Sequence, residues 1–315
     1  MNALEKTQHI PVMALEALEM MQLRRGMTVV DATLGGGGYA KMIHEKIGPE
    51  GRLIALDQDQ KAIDRFIAHN PKIAQEITIV HSNYSHIRKV LQEQGIEKVD
   101  AIVADLGVSS DQLNEADRGF SFKYGGLIDM RMDQDNVVSA LEIVNQYAQE
   151  DIADIIATYG DEKFAQRIAR AICASRPLET TEALAQVVGD AIPQSVRRSL
   201  KVHPATKTFQ ALRIAVNDEY RHLQIFLTEG IKALQDSGRF VVVSFHSGED
   251  RLVKNVFRTH ARGCICAEDA PICTCNIVPT VRVVAKKPIA PSEEEVRQNP
   301  RARSARLRVV QKLSV

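Results

Sequence analysis

The 315-residue sequence has no surplus charge of either sign, with 40 Lys and Arg against 40 Asp and Glu. That balance excludes a surface that is basic throughout, so a nucleic-acid partner must be met by a locally basic face. No run approaches the roughly 20 apolar residues of a membrane-spanning helix, and the opening Met1 to His9 is too polar for a secretory signal. A soluble, cytoplasmic protein is expected. Cysteine is scarce and odd in number, five in all. Cys173 stands alone in a helical pattern, while Cys264, Cys266, Cys273 and Cys275 form two Cys-x-Cys pairs. Without an export signal this excludes a disulfide framework and leaves metal binding or reduced thiols. Four thiolates suit tetrahedral zinc, although zinc sites usually space their thiols more widely, so zinc stays open. Low-complexity segments and internal repeats are absent too, and 44% hydrophobic residues support one large or two modest domains.

What is present is an alternation of β-type and helical patterns in the first third, the signature of a parallel sheet flanked by helices. Met27 to Ala32, Arg52 to Asp57, Ile77 to Val80 and Val99 to Asp105 read as strands buried on both faces. Tyr39 to Ile47 and Gln60 to His69 read as the helices between them. From Leu113 to Pro204 the periodicity is helical only: Phe164, Ile168, Ala171 and Ile172 make one stripe, and Leu184, Val187, Val188, Ala191 and Ile192 another. A further helix is expected from about Thr208 to Leu234 and a turn at Ser237-Gly238. A fifth strand, Arg239 to Phe245, follows, then a helix marked by Leu252, Val253, Val256 and Phe257, and closing strands at Val281 to Val284 and Leu307 to Val310. The fold class is therefore α/β, with a discontinuous core, 1–112 and 205–315, and an inserted all-helical domain, 113–204.

The most informative segment is Asp31-Ala32-Thr33-Leu34-Gly35-Gly36-Gly37-Gly38-Tyr39, between the first strand and the first helix. Glycines allow a tight turn and close approach of a ligand to the helix N-terminus. Asp57 stands where a carboxylate holds ribose hydroxyls in dinucleotide-binding folds. The pattern fits NAD, FAD and S-adenosylmethionine, and also a plain tight turn. Asp31 tilts the choice: its carboxylate would repel a pyrophosphate but suits the sulfonium and ammonium of S-adenosylmethionine. A turn-stabilising role for Asp31 stays open.

Ligands of this fold lie at the carboxyl ends of the strands. There the sequence offers Tyr84, as an adenine platform or a core residue, then Asp105-Leu106-Gly107-Val108-Ser109-Ser110-Asp111-Gln112, and Ser244-Phe245-His246-Ser247-Gly248-Glu249-Asp250. A helix cap explains part of the last cluster.

Taken together these blocks resemble the bacterial 16S rRNA (cytosine-N4)-methyltransferases that modify a cytidine near the ribosomal P site, and the likeness spans nearly the whole chain. Beyond the segments above it rests on His9-Ile10-Pro11-Val12, Asp117-Arg118-Gly119-Phe120-Ser121-Phe122, Leu127-Ile128-Asp129-Met130-Arg131-Met132, Tyr159-Gly160-Asp161-Glu162, His203 to Arg213, and Asn299-Pro300-Arg301-Ala302-Arg303-Ser304. The resemblance implies a Rossmann-like class I methyltransferase sheet using S-adenosylmethionine. It implies that Gly37, Gly38 and Tyr39 contact the methionine end, Asp57 the ribose and Tyr84 the adenine, with Asp105 and Gln112 completing the pocket. Tyr39 replaces the family's usual His, Tyr84 an often-found Phe, and Gly248 a common Leu, which raises the question of how Glu249 and Asp250 are held.

For catalysis the expected residues are Asp105, as acceptor for the target amine, and His246, as base contact or proton carrier. Arg297 to Val315 holds six basic residues and no acid, and Arg251, Lys254, Arg258 and Arg262 stud the preceding helix. Both runs suit phosphate contact or simply solvent. The expected partner is 16S rRNA or the small ribosomal subunit; oligomeric state, a homodimer included, stays open. A methyltransferase of another substrate, a non-catalytic S-adenosylmethionine-binding assembly factor and an NAD-dependent oxidoreductase are the competing readings.

Overall fold

The structure is a computed structural model that describes residues 11–123, 125–264, 275 and 277–314. The chain divides into two compact units, Met1–Gly107 with Tyr220–Val315, and Val108–Glu219.

The first unit is built on a seven-stranded sheet: β1 Thr28–Asp31, β2 Arg52–Asp57, β3 Thr78–His81, β4 Val99–Asp105, β5 Leu234–Ser244, β6 Val281–Val283 and β7 Arg306–Lys312. Their order is β3-β2-β1-β4-β5-β7-β6. The first five run parallel, and β7 enters antiparallel between β5 and β6. Alternate side chains face opposite layers, as strand geometry requires. Val30, Ile54, Ile102, Val242 and Val310 join Phe226 and Phe257 in one core cluster. Val29, Leu53, Val103, Val241 and Val309 join Ile43 and Phe66 in another. Both faces are thus covered by helices, which accounts for the apolar runs Leu53 to Leu56 of β2 and Ala101 to Ala104 of β4. β3 departs from the expectation of full burial, because at the edge of the sheet it is only partly covered.

β5 begins five residues before the expected Arg239. Its register on β4 jumps from Val99↔Leu234 to Ala101↔Arg239, so the turn expected at Ser237-Gly238 is an irregularity within a strand. Ser237 takes a positive φ of 65° there. The single long helix expected up to Leu234 is two, Thr206–Val216 and Glu219–Ala233.

The second unit is helical, with the isolated bridge Leu127↔Thr180 as its strand-like pairing among the described residues. Helices Gln149–Gly160, Ala165–Ala174, Thr181–Ala191 and Thr206–Val216 enclose Ile152, Ile156, Ile168, Leu184, Phe209 and Leu212. Helix Thr206–Val216 therefore belongs to this unit, not to the sheet unit where the 113–204 boundary placed it. Phe209, Leu212 and Val216 bury in the helical core, and Gly160 lets the helix approach so closely that a Cβ there would lie 2.8 Å from the Lys207 carbonyl oxygen.

Candidate active site

The carboxyl ends of β1, β2 and β4 meet at the glycine turn. Thr33 ties two of them: its backbone N–H donates to Asp31 Oδ1 (3.1 Å), and its hydroxyl accepts from Asp105 N (2.7 Å). Asp57 ties in the third, with Oδ2 accepting from Gly35 N (2.7 Å) and Oδ1 from Asp59 N (2.8 Å). The carboxylate expected at a ribose thus also fixes the turn, leaving its remaining lone pairs for a ligand.

The glycines divide by role. At Gly37, with φ +74°, a Cβ would fall 2.1 Å from the Phe66 ring, and at Gly38 one would fall 2.6 Å from the Pro11 ring. Both are required by the packing of the turn itself. A Cβ at Gly36 meets nothing within 4 Å, so the turn leaves open space on that side. Tyr39 turns its side chain inward: it is buried, and its hydroxyl donates to the Val12 carbonyl (2.5 Å). Only its backbone is available to a ligand, and its phenol is pushed well above its ordinary pKa, chiefly by burial.

Three acids crowd this end of the sheet. Burial first, and then the neighbouring Asp57, raise Asp31 from 3.8 to about 7 against the lowering effects of the Thr33 and Ala40 N–H groups. Burial likewise raises Asp57 to about 6. Asp105 is pushed well above the carboxylate range by burial and then by Asp31, Glu249 and Glu295. Among the described residues Asp31 Oδ2 and Asp105 Oδ1 are buried without a hydrogen-bond partner. Such oxygens are costly unless a cation or donor meets them.

Ser244 ends β5, and His246 caps helix Ser247–His260 in a reciprocal capping box with Glu249. Glu249 N donates to His246 Nδ1 (3.4 Å), and His246 Nε2 lies 3.0 Å from Glu249 Oε1. Glu249 Oε2 accepts from Phe245 N and His246 N. Nδ1 thus caps the helix, while Nε2, although 3.0 Å from Glu249 Oε1, is buried without a hydrogen bond among the described residues. The acids are firmly held despite Gly248: Glu249 by these bonds, Asp250 by bidentate contact with Arg308 at 2.6 and 2.9 Å. Gly248 is itself demanded by packing, since a Cβ would overlap the Tyr220 hydroxyl.

Tyr84 packs its ring 4.9 Å from Phe226 and is only partly buried, so one side belongs to the core. Gln112 lies in the second unit, buried, its side chain accepting from Ser109 N (2.9 Å) in the capping box of helix Ser110–Asn114. Two cations of the His203 to Arg213 block serve the second unit: Lys207 donates to the Asp161 carbonyl, and Arg213 forks onto Glu219 at 2.7 and 2.9 Å. The zinc question over Cys264, Cys266, Cys273 and Cys275 falls partly outside the described residues; Cys264 and Cys275 are described, with sulfurs 3.7 Å apart. Glu295 and Thr33 were not singled out from sequence, since a helix-start Glu and a loop Thr carry no local signal of what they approach.

No helix of the described residues is long and apolar enough to cross a membrane. Residues 6–313 match the model of the MraW methylase family. The chain is 43% identical over 309 residues to "Ribosomal RNA small subunit methyltransferase H" of Finegoldia magna, covering 97% of this chain and 99% of that one. The like-named proteins of Brevibacillus brevis and Heliobacterium mobile are 44% and 45% identical, covering 97% of this chain and 98% and 99% of theirs.

Proposed function

This chain belongs to the MraW methylase family, and on that premise we propose that it methylates small-subunit ribosomal RNA (16S) with S-adenosylmethionine, at the exocyclic N4 of a cytidine near the ribosomal P site. The observation that carries the reading is the pair of buried, unpartnered carboxylate oxygens, Asp31 Oδ2 and Asp105 Oδ1, beside a glycine turn with open space at Gly36. A cationic, phosphate-free cofactor fits that arrangement, and a pyrophosphate does not.

When bound, S-adenosylmethionine supplies an electrophilic methyl group on a positively charged sulfur. The chain's own residues do the rest. Asp31 offsets the positive charge of the methionine end, and the backbone of Gly37, Gly38 and Tyr39 lines it. Asp57 turns its remaining lone pairs to the ribose hydroxyls, and Tyr84 offers its partly exposed ring to the adenine. Asp105 Oδ1 accepts an N–H of the target amine. The cytosine amine is a poor nucleophile because its lone pair is delocalised into the ring; an acceptor at one N–H favours the pyramidal nitrogen whose lone pair can attack. The methylated nitrogen then carries a surplus proton; Asp105, kept ionised while the cofactor's positive charge lies beside it, takes that proton once the methyl has left, and its raised affinity for protons holds it until release to solvent. His246 caps the helix start through Nδ1 and leaves its buried Nε2 for a base contact or the proton. Catalysis is thus positioning and electrostatics, and the base must be unpaired or flipped out.

The test is to incubate the protein and S-adenosylmethionine with unmethylated small subunits and with naked 16S rRNA, then digest to nucleosides for mass spectrometry. N4-methylcytidine is expected. Methylation at another atom refutes the N4 assignment, and tight S-adenosylmethionine binding without any transfer favours the assembly-factor reading.

A further inference from the structure

Helix Ser247–His260 follows the strand whose Val243 lies opposite Asp105, so its first turn stands at the acid end of the sheet. Val253 and Phe257 turn inward to the core that holds Phe226 and Phe240. At 3.6 residues per turn this sets Arg251 and Arg258 on the opposite side of the helix, with Lys254 beside them. Past the helix end Arg262 N donates to the Thr259 carbonyl (3.3 Å), which keeps the chain turning and extends the row. Arg251, Arg258 and Arg262 are exposed, and Lys254 is partly buried. The row begins about 8 Å along the axis from His246 and runs about 16 Å from Arg251 to Arg262, at 1.5 Å per residue.

Several exposed helix cations of this protein stand one turn from an acid: Lys89 from Glu93, Lys232 from Glu229, Arg297 from Glu294. This row is built differently. Arg251 to Arg262 contains no Asp or Glu, and among the described residues no hydrogen bond or ion pair engages the side chains of its four cations. The two acids of the helix are committed elsewhere, Glu249 to the capping box and Asp250 to Arg308. The cations are instead one another's neighbours. Arg251 and Lys254 are at i, i+3, and Lys254 with Arg258 and Arg258 with Arg262 are at i, i+4, spacings at which like charges weaken a helix. The fold gains nothing from that arrangement, whereas a bound polyanion relieves it.

The chemistry of the partner follows from the surroundings. A site lined by Asp31, Asp57, Asp105 and Glu249 repels an anionic chain, so an RNA substrate needs positive charge close by. A single row of cations suits a single line of phosphates. A membrane-surface helix needs its apolar face for lipid, and here that face is buried in the core. The exposed large apolar side chains of the described residues all lie on other segments. We propose that Arg251, Lys254, Arg258 and Arg262 form a phosphate-binding track that holds the RNA backbone leading away from the target nucleotide. The proposal rests on the rRNA methyltransferase reading above and names the surface that takes the RNA.

The experiment compares the full-length protein with the quadruple variant Arg251→Ala, Lys254→Ala, Arg258→Ala, Arg262→Ala on a 16S rRNA transcript and on small subunits. KM for RNA should rise at least about tenfold while kcat at saturating RNA holds within about twofold, and the slope of log affinity against log salt should become shallower by about 3, from about 0.7 to 0.9 per lost phosphate contact. S-adenosylmethionine affinity should hold. The thermal midpoint should hold or rise, because alanine favours helix and the like-charge pairs are gone. The variant Arg251→Lys, Arg258→Lys, Arg262→Lys should keep most of the RNA affinity, and replacing Lys89 and Lys232 by Ala should change neither KM nor slope. An unchanged KM and slope in the quadruple variant, with wild type active, overturns the track and leaves the methyltransferase reading intact. A loss confined to binding of phosphatidylglycerol vesicles overturns it in favour of a membrane. A lowered thermal midpoint with lost S-adenosylmethionine affinity, repeated in the paired variants Arg251→Ala, Lys254→Ala and Arg258→Ala, Arg262→Ala, overturns it in favour of a structural role. A wild-type protein that neither binds nor methylates either RNA sinks both readings.

Discussion

Replacing Asp31 by Asn keeps the shape of the side chain and removes its titration. In the folded chain this carboxyl titrates near 7 instead of 3.8, chiefly because it is buried, and one of its oxygens has no partner. The sign follows from linkage. Below about pH 4 the acid is protonated in folded and unfolded chains alike, and burial costs nothing extra. Between about pH 4 and pH 7 the unfolded chain releases the proton while the folded chain keeps it, so stability falls by about 1.4 kcal/mol per pH unit. Above pH 7 the accumulated loss is roughly 4 kcal/mol, the full shift from 3.8 to about 7 converted at that rate. Asp31→Asn escapes this loss. Urea unfolding without cofactor from pH 4 to pH 8 should show the variant level with wild type at the acid end and more stable by up to that amount at the alkaline end. S-adenosylmethionine should reverse the order, since the cation favours the ionised carboxylate. Wild-type affinity should rise with pH up to about 7 with proton release on binding, and the variant should bind at least about tenfold more weakly at pH 8. A stability difference that stays flat from pH 4 to pH 8 would refute the reasoning, because it would mean that Asp31 is already ionised in the free protein.

Other expectations concern the neighbours. Asp105→Asn should lower kcat at least about 100-fold in a methyl-transfer assay, the scale of a lost acid-base or electrostatic group; a wild-type rate with unchanged cofactor affinity would remove Asp105 from the chemistry. Gly37→Ala places a methyl 2.1 Å from the Phe66 ring at a positive φ, so chemical denaturation should show a loss of about 2 to 4 kcal/mol, with weaker cofactor binding in calorimetry. Gly36→Ala, facing open space, should cost far less stability. Glu249→Ala strips the acceptor from Phe245 N and His246 N and should destabilise the protein by about 2 to 3 kcal/mol, whereas His246→Asn, which can still cap the helix, should hold stability and lower methyl transfer, because the buried Nε2 is lost.

Much of the frame was legible because it is written locally. β2 and β4 were legible from the apolar runs Leu53 to Leu56 and Ala101 to Ala104, since a strand covered on both faces keeps its polar residues near its ends. Helix Gln60–His69 begins where Asp59 accepts from Lys61 N, a cap visible in sequence. Gly35 to Gly38 marks the ligand turn, and the acids at the tips of β1, β2 and β4 follow from the rule that a parallel sheet gathers its strand ends. Reading failed where a residue answers to a distant partner. Helix Thr206–Val216 has an amphipathic stripe that either unit could bury; the stripe does not say which. His246 marks the same limit, because a His beside two acids has one sequence signature whether it caps a helix, serves the chemistry or does both.

The sequence by itself determined the alternation of strands and helices, the inserted helical segment, the glycine turn and the candidate acids, because each is a matter of period, propensity or spacing over a few residues. Only the tertiary structure decided what those residues do to one another. It closed Gly37 against Phe66 and Gly38 against Pro11, buried Asp31 and Asp105 with oxygens unmatched, made His246 a helix cap, paired Arg308 with Asp250, and brought Glu295 within electrostatic reach of Asp105 from 190 positions away. Desolvation and charge coupling depend on distances through space, and these exist only once the sheet has brought its strand ends together.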